Sequence, residues 1–184
     1  MAQQPWFYHD DDDWNTLAQH LKLTPCPHCK RVGALIRHGF LHGFDDRDPH
    51  RKTIRARRIF CSNRNARPGC GRTFSIWLAS TIRRLGLTTG ALGRFLHLAL
   101  TRGLLAGIRD FPCHLSDRTL LRIWKRFHLG QSTIRTALLQ RCSPPQLPLE
   151  RRPVAQVLAH LWAAFPDAPC AIAAFQHTMR TFFV

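Results

Sequence analysis

Cys26-Pro27-His28-Cys29, then Arg57-Arg58-Ile59-Phe60-Cys61, then Cys70-Gly71-Arg72-Thr73-Phe74 are the stretches of this 184-residue chain that decide its fold. Zinc takes soft, deprotonated ligands that converge tetrahedrally at about 2.3 Å. Two residues between Cys26 and Cys29 let a tight knuckle turn both sulfurs toward one point, and Pro27 stiffens it. Cys61 and Cys70 enclose eight residues, Ser62 to Gly69, where a knuckle ordinarily has about two. A loop of that size still closes at little extra entropic cost. Gly69 and Gly71 flank Cys70 and permit a positive φ. A redox pair would not need Cys61 and Cys70 beyond a β-like segment. The reading is therefore one structural Zn²⁺ per chain, held by Cys26, Cys29, Cys61 and Cys70, with no open position for catalysis. His28 is expected to point outward. Cys113, Cys142 and Cys170 lack such pairing and are expected to stay uninvolved.

Outward from the cysteines, Ala34 to Phe40 and Thr53 to Phe60 read as β-like stretches. Gly43, Asp45, Asp46, Asp48 and Pro49 mark the loop between them. A sheet this small buries too little apolar surface alone, and a metal supplies on the order of 10 kcal/mol in isolated zinc modules. Residues 1 to 24 form an acidic lead-in, where Asp12 or Asp13 caps a short helix carrying Trp14, Leu17 and Leu21. That helix either packs on the neighbouring module or docks its acidic run over the basic surface until DNA competes. Residues 77 to 142 read as helical. Thr89 starts a helix with Leu92, Phe95, Leu96 and Ala99 inward; Leu104 to Phe111 forms a short second one. Residues 143 to 184 hold a Pro-rich break and a helical pair, about Val154 to Phe165 and Ala168 to Thr181. The expected fold class is α+β: a β zinc ribbon over 25 to 76, then a mostly helical domain with a helix-turn-helix-like unit.

The paired cysteines, the basic approach to Cys61 and the ending Cys70-Gly71-Arg72-Thr73-Phe74 resemble the zinc ribbon of bacterial insertion-sequence transposases. The resemblance covers about residues 26 to 127. It implies a ribbon followed by a helix-turn-helix, which together bind the terminal repeats of a mobile element. The chain departs from that pattern in its eight-residue spacer and in lacking a catalytic domain.

Charge points the same way. Lys and Arg total 27 against 11 Asp and Glu, a net of +16, and all but Lys22, Lys30, Lys52 and Lys125 are arginine. Arginine suits forked contacts to phosphate oxygens and guanine edges. Between Lys30 and Arg84 there are 14 Lys and Arg against 3 Asp. Arg55, Arg57, Arg58, Arg64, Arg67 and Arg72 cluster around the second cysteine pair as candidate phosphate contacts. A further helix opens at Ser116, with Asp117 in its first turn. Leu120, Leu121, Ile123, Trp124 and Phe127 supply its apolar side, and Arg118, Arg122, Lys125 and Arg126 its basic side. That is the layout of a recognition helix. Trp124 falls on the apolar side and reads as core.

Several classes are excluded at this stage. Asp10 to Asp13 is the opposite of a basic secretory n-region, and no run of about 18 apolar residues occurs. An odd count of seven cysteines fits a reducing cytoplasm, and nucleoid association in a prokaryote. A transposase catalytic domain needs converging carboxylates for two metals. After Asp48 only Asp110, Asp117, Glu150 and Asp167 remain, and fewer than fifty residues follow Cys142. The single tyrosine, Tyr8, has no basic pocket expected around it. The expectation is a non-enzyme: a zinc-dependent binder of double-stranded DNA that regulates or targets by occupancy or recruitment. RNA is the alternative ligand. A protein adaptor is the other, self-associating or binding a partner through Val154, Val157, Leu158, Leu161, Trp162, Phe165 and Phe175.

Overall fold

A computed structural model describes residues 6–44, 48, 50–83, 85–146 and 153–184. It has an α+β fold, with a four-stranded sheet and six helices among the described residues. The strands are β1 (Trp6–Tyr8), β2 (Leu35–Phe44), β3 (Lys52–Cys61) and β4 (Thr73–Leu78), in the order β1-β4-β3-β2. β2, β3 and β4 form an antiparallel meander, and β1 adds in parallel to β4, pairing Trp6 with Ile76 and Tyr8 with Leu78. The helices are α1 (Asp11–Gln19), α2 (Thr89–Thr101), α3 (Leu104–Asp110), α4 (Asp117–Leu139), α5 (Pro153–Ala164) and α6 (Ala171–Met179). Among the described residues no helix is long and apolar enough to cross a membrane.

The lead-in joins the sheet. Its residues 6–8 form β1, which charge patterning hides because the strand is short and abuts four aspartates. The helix cap is Asp10, whose carboxylate accepts from the Asp13 N–H at 2.9 Å, in place of Asp12 or Asp13. Trp14 and Leu21 then bury in one cluster with Tyr8, Ile59, Ile76 and the cysteines. Period-two alternation sends neighbouring side chains to opposite faces. Tyr8 and Ile76 join that cluster, while Phe7 and Trp77 turn the other way, onto Phe182 at 5.1 and 5.5 Å. The C-terminal segment thus covers the far side of the β1–β4 edge.

Gly43 lies within β2, so the hairpin arm is longer than expected; Asp45, Asp46, Arg47, Pro49 and Arg84 lie outside the described residues, as do Pro148 and Glu150. The helical unit buries Leu92, Phe95 and Leu96 of α2, then Leu120, Ile123 and Phe127 of α4, around Leu158, Leu161 and Phe175, and Ala99 is buried as well. Thr88 caps α2 by accepting from Ala91 N–H at 3.2 Å. α4 continues through Gly130 to Leu139, because Ile134 and Leu138 keep its apolar stripe running into the core and the Phe183 ring stacks on Phe127 at 5.6 Å. Ser116 holds the N-cap position of α4, but its hydroxyl meets that of Thr119 at 3.0 Å and caps no backbone N–H. Leu121 is exposed, since it lies about 100° around the helix from Leu120.

Two buried polar side chains hold the connector between sheet and helices. Arg55 Nη2 donates to the carbonyls of Ile82 (3.0 Å) and Leu87 (3.2 Å). Gln176 Nε2 donates to those of Ala79 (2.8 Å) and Thr81 (2.9 Å), while its Oε1 accepts from Phe183 N–H at 3.1 Å. Arg55 falls at a register shift against β2, where a bulge re-aims a side chain. A Cβ on Gly43 would stand 2.1 Å from its Cδ, so glycine there gives the arginine its path. Gln176→Ala is expected to lower stability by about 2–4 kcal/mol in urea unfolding, because it orphans buried backbone groups.

α1 and α6 meet where His177 Nε2 approaches Asp13 Oδ2 at 3.2 Å and the His177 and His9 ring centroids stand 4.1 Å apart. Burial, reinforced by the His9 charge, holds the His177 pKa below its ordinary 6.5. The unfolded chain then takes up the proton more readily, so this histidine weakens folding as pH drops below 6.5 and is neutral in effect above it. His177→Asn should shrink the loss of melting temperature on acidification across that range.

Candidate metal centre and basic surface

The end of β3, the start of β4 and the loop after α1 bring four sulfurs together. Cys26, Cys29, Cys61 and Cys70 place all their Sγ atoms within 4.8 Å of one another. Cys26 and Cys70 are 3.9 Å apart, and Cys29 and Cys61 3.8 Å. Sulfurs tetrahedrally disposed at 2.3 Å from one cation stand about 3.8 Å apart, so this donor set fits a metal ion. Local backbone builds both halves. His28 N–H points to Cys26 Sγ at 3.4 Å, and Cys70 N–H to Cys61 Sγ at 3.3 Å. Lys30 adopts φ 62° and Gly71 φ 72°, the left-handed turns that fold each knuckle back on itself. His28 is exposed and outside the sulfur cluster.

The long spacer is absorbed within its own loop. Gly69 N–H returns to Ser62 O at 3.0 Å, and a Cβ on Gly69 would stand 2.1 Å from that oxygen, so only glycine closes it. Asn65 and Ala66 take positive φ at the turn. Arg31 donates to Pro68 O and ties the loop to the first knuckle.

The four thiols do not ionise alike. The Arg31 backbone N–H holds the Cys29 thiol down to about 7, whereas burial pushes Cys61 up to about 12. A divalent cation is what allows four adjacent thiolates to coexist, and its binding releases their protons. Cys113, Cys142 and Cys170 form no disulfide and rest partly buried against the helical core, apart from this centre.

The ten candidate bases divide by environment. Arg58, Arg64, Arg67, Arg72, Arg118, Arg122, Lys125 and Arg126 are exposed. Arg55 is a correction: it is only 8% exposed and its guanidinium is spent on connector carbonyls. Arg57 is another. It pairs with Asp11 of the acidic helix and lies 4.7 Å over the Trp14 ring and 5.5 Å over Tyr8. Tyr8 consequently does have a basic neighbour, and burial raises its pKa despite the Arg57 hydrogen bond. Both arginines sit on β3, Arg57 on the pleat that α1 covers and Arg55 at the register shift against β2. Reading the segment by charge alone hides both the pleat and the bulge.

Of the proposed adaptor residues, Val154, Val157, Leu158, Leu161, Phe165 and Phe175 are buried in the helical core, and Trp162 is 47% exposed. Trp124 packs partly against that core, 4.9 Å from the His128 ring. Sequence reasoning missed Phe40 and Phe44 of the β2–β3 arm, exposed by 49% and 54%. Aromatic residues in a strand read as core by default, and only the arm's position at the sheet edge leaves them in water.

Compared with models of known families, with curated proteins and with solved structures, the chain matches none. Its own geometry carries the argument. Cys61→Ser should strip bound metal, seen by elemental analysis, and melt the sheet in far-UV circular dichroism. Cys142→Ser should retain the full metal content.

Proposed function

We propose that this chain is a zinc-dependent DNA-binding protein, associated with or derived from a mobile element, that regulates or targets by occupancy or recruitment. Zinc is the ion assigned to the four-thiolate set, because a closed S₄ tetrahedron suits it and serves structure. The single observation that supports DNA binding is the charge left uncompensated. Arg58, Arg64, Arg67, Arg72, Arg118, Arg122, Lys125 and Arg126 are exposed, and none makes an ion pair among the described residues. A net charge of +16 with so little internal pairing raises self-repulsion, and a polyanion relieves it. Bases from β3, the Cys61–Cys70 loop and α4 would share the work, phosphate contacts fixing position and α4 reading bases.

The exposed rings of Phe40 and Phe44 favour a second reading, RNA or another single strand, since exposed bases stack on aromatic side chains. The protein acts as a binder in both readings and not as a nuclease.

Arg122→Ala is expected to cost about 1–3 kcal/mol on a specific duplex and to relax its sequence preference. Arg58→Ala should weaken all sequences alike and reduce the salt slope by about one. Fluorescence anisotropy across a salt series, with duplex DNA and RNA side by side, measures both. Equal binding by wild type and both variants would refute the DNA reading. Strand-cleavage assays with Mg²⁺ or Mn²⁺ should stay blank; metal-dependent cleavage lost on Asp110→Asn would refute the non-enzymatic one.

A further inference from the structure

Where the β2–β3 arm meets the start of α2, the two modules enclose a cavity of about 410 Å³. Its walls bring together Phe44, Arg51, Arg55, Ser80, Thr88 and Arg94. Arg51 and Arg55 of the hairpin arm and Arg94 of α2 therefore line one space. Arg55 lies at its buried side, held on the Ile82 and Leu87 carbonyls. Arg51 and Arg94 are exposed and make no ion pair among the described residues. Among the described residues one carboxylate, Asp48, also lines the cavity, and its Oδ1 accepts from the His50 N–H at 2.8 Å, in its own turn. Among the described lining residues three guanidiniums, one of them bonded to carbonyls, face one carboxylate, and that positive balance favours an anion.

Size and wall chemistry narrow the class. The volume falls within the roughly 300–1,000 Å³ of small-molecule sites, well beyond what a bare phosphate fills. Ile54, Leu78 and Phe44 give the cavity an apolar side, and Phe44 has an exposed ring. A ligand with a charged end and a planar apolar body answers to both. We propose that this cleft binds a nucleotide unit, its phosphate between Arg51 and Arg94 and its base against Phe44. In its strand-bound form the proposal rests on the nucleic-acid reading above; a free mononucleotide carries the same chemistry and would occupy the same groups.

The test uses the zinc-loaded full chain and calorimetric titration with adenosine 5′-monophosphate, inorganic phosphate and oligothymidylate, beside duplex DNA. Arg51→Gln and Arg94→Gln should each weaken adenosine monophosphate and oligothymidylate about tenfold. The double variant should lose less than the product of the two, because both side chains serve one phosphate. Phe44→Ala should weaken the nucleotide and leave inorganic phosphate unchanged. Both arginines are exposed, and unchanged zinc content and melting temperature check that the variants fold. Nucleotide binding lost in Arg94→Gln, with no nucleic acid bound by wild type, would uphold the cleft as a free-nucleotide site and overturn the nucleic-acid reading. Wild-type oligothymidylate and duplex binding in both arginine variants would overturn the cleft while leaving that reading intact. Failure of wild type to bind either nucleotide or oligothymidylate also overturns the cleft.

Discussion

Residues 79–83 and 85–88 leave the sheet and enter the first helix of the α-helical unit with several carbonyls in the interior, where an unmade hydrogen bond is costly. Everything about how sheet and helices sit together depends on satisfying them. Arg55 reaches from the sheet to Ile82 and Leu87, and Gln176 reaches from α6 to Ala79 and Thr81. Each is a long polar side chain buried for one purpose. Gln176 also holds the Phe183 N–H, which turns the last residues back so that Phe182 covers Phe7 and Trp77. The connector is thus clamped from both sides, and the cleft bearing Arg51 and Arg94 exists because the clamp holds α2 against the hairpin arm.

The sheet has a different dependence. Its cluster gathers Tyr8, Trp14, Leu21, Leu35, Ile59 and Ile76 around two fully buried cysteines. The apolar group is small, and the four thiols add only small apolar contacts while protonated and unbridged. A cation would convert the four sulfurs into a crosslink between the loop after α1, the end of β3 and the turn before β4. The acidic helix adds a second tie. Asp11 meets Arg57 while Trp14 and Tyr8 lie against the same guanidinium, so a charged residue in the middle of the sheet is matched on the face that α1 covers.

Charge is consequently sorted into structural and available sets. Arg55 and Arg57 serve the fold, whereas Arg58, between Arg57 and Ile59 on the opposite pleat, is exposed. Three consecutive-looking bases on one strand therefore do different work, and the difference is one of alternation and bulge. The exposed aromatic arm follows from topology in the same way: β2 is an edge strand with no strand on its outer side.

Local chemistry was legible in the residue order. The Cys26–Cys29 spacing makes a knuckle wherever it occurs; the stripes of Leu92, Phe95, Leu96 and Ala99, and of Leu120, Ile123 and Phe127, follow the helical period. These patterns depend on near neighbours, so the helices, the two long strands and the four-cysteine set emerge from the sequence alone. Tertiary contact decided the rest. β1 is too short to signal itself, and β4 is hidden beside Cys70; both become strands because partners supply their hydrogen bonds. Asp10 caps in place of Asp12 or Asp13 because β1 fixes where the chain turns. α4 outruns Gly130 because Phe183 and the core reward its continued helix. The burial of Arg55, its passage over Gly43 and the reach of Gln176 to residues nearly a hundred positions away have no local signature, since a side chain's partners across the fold are set only when the fold brings them within 3 Å.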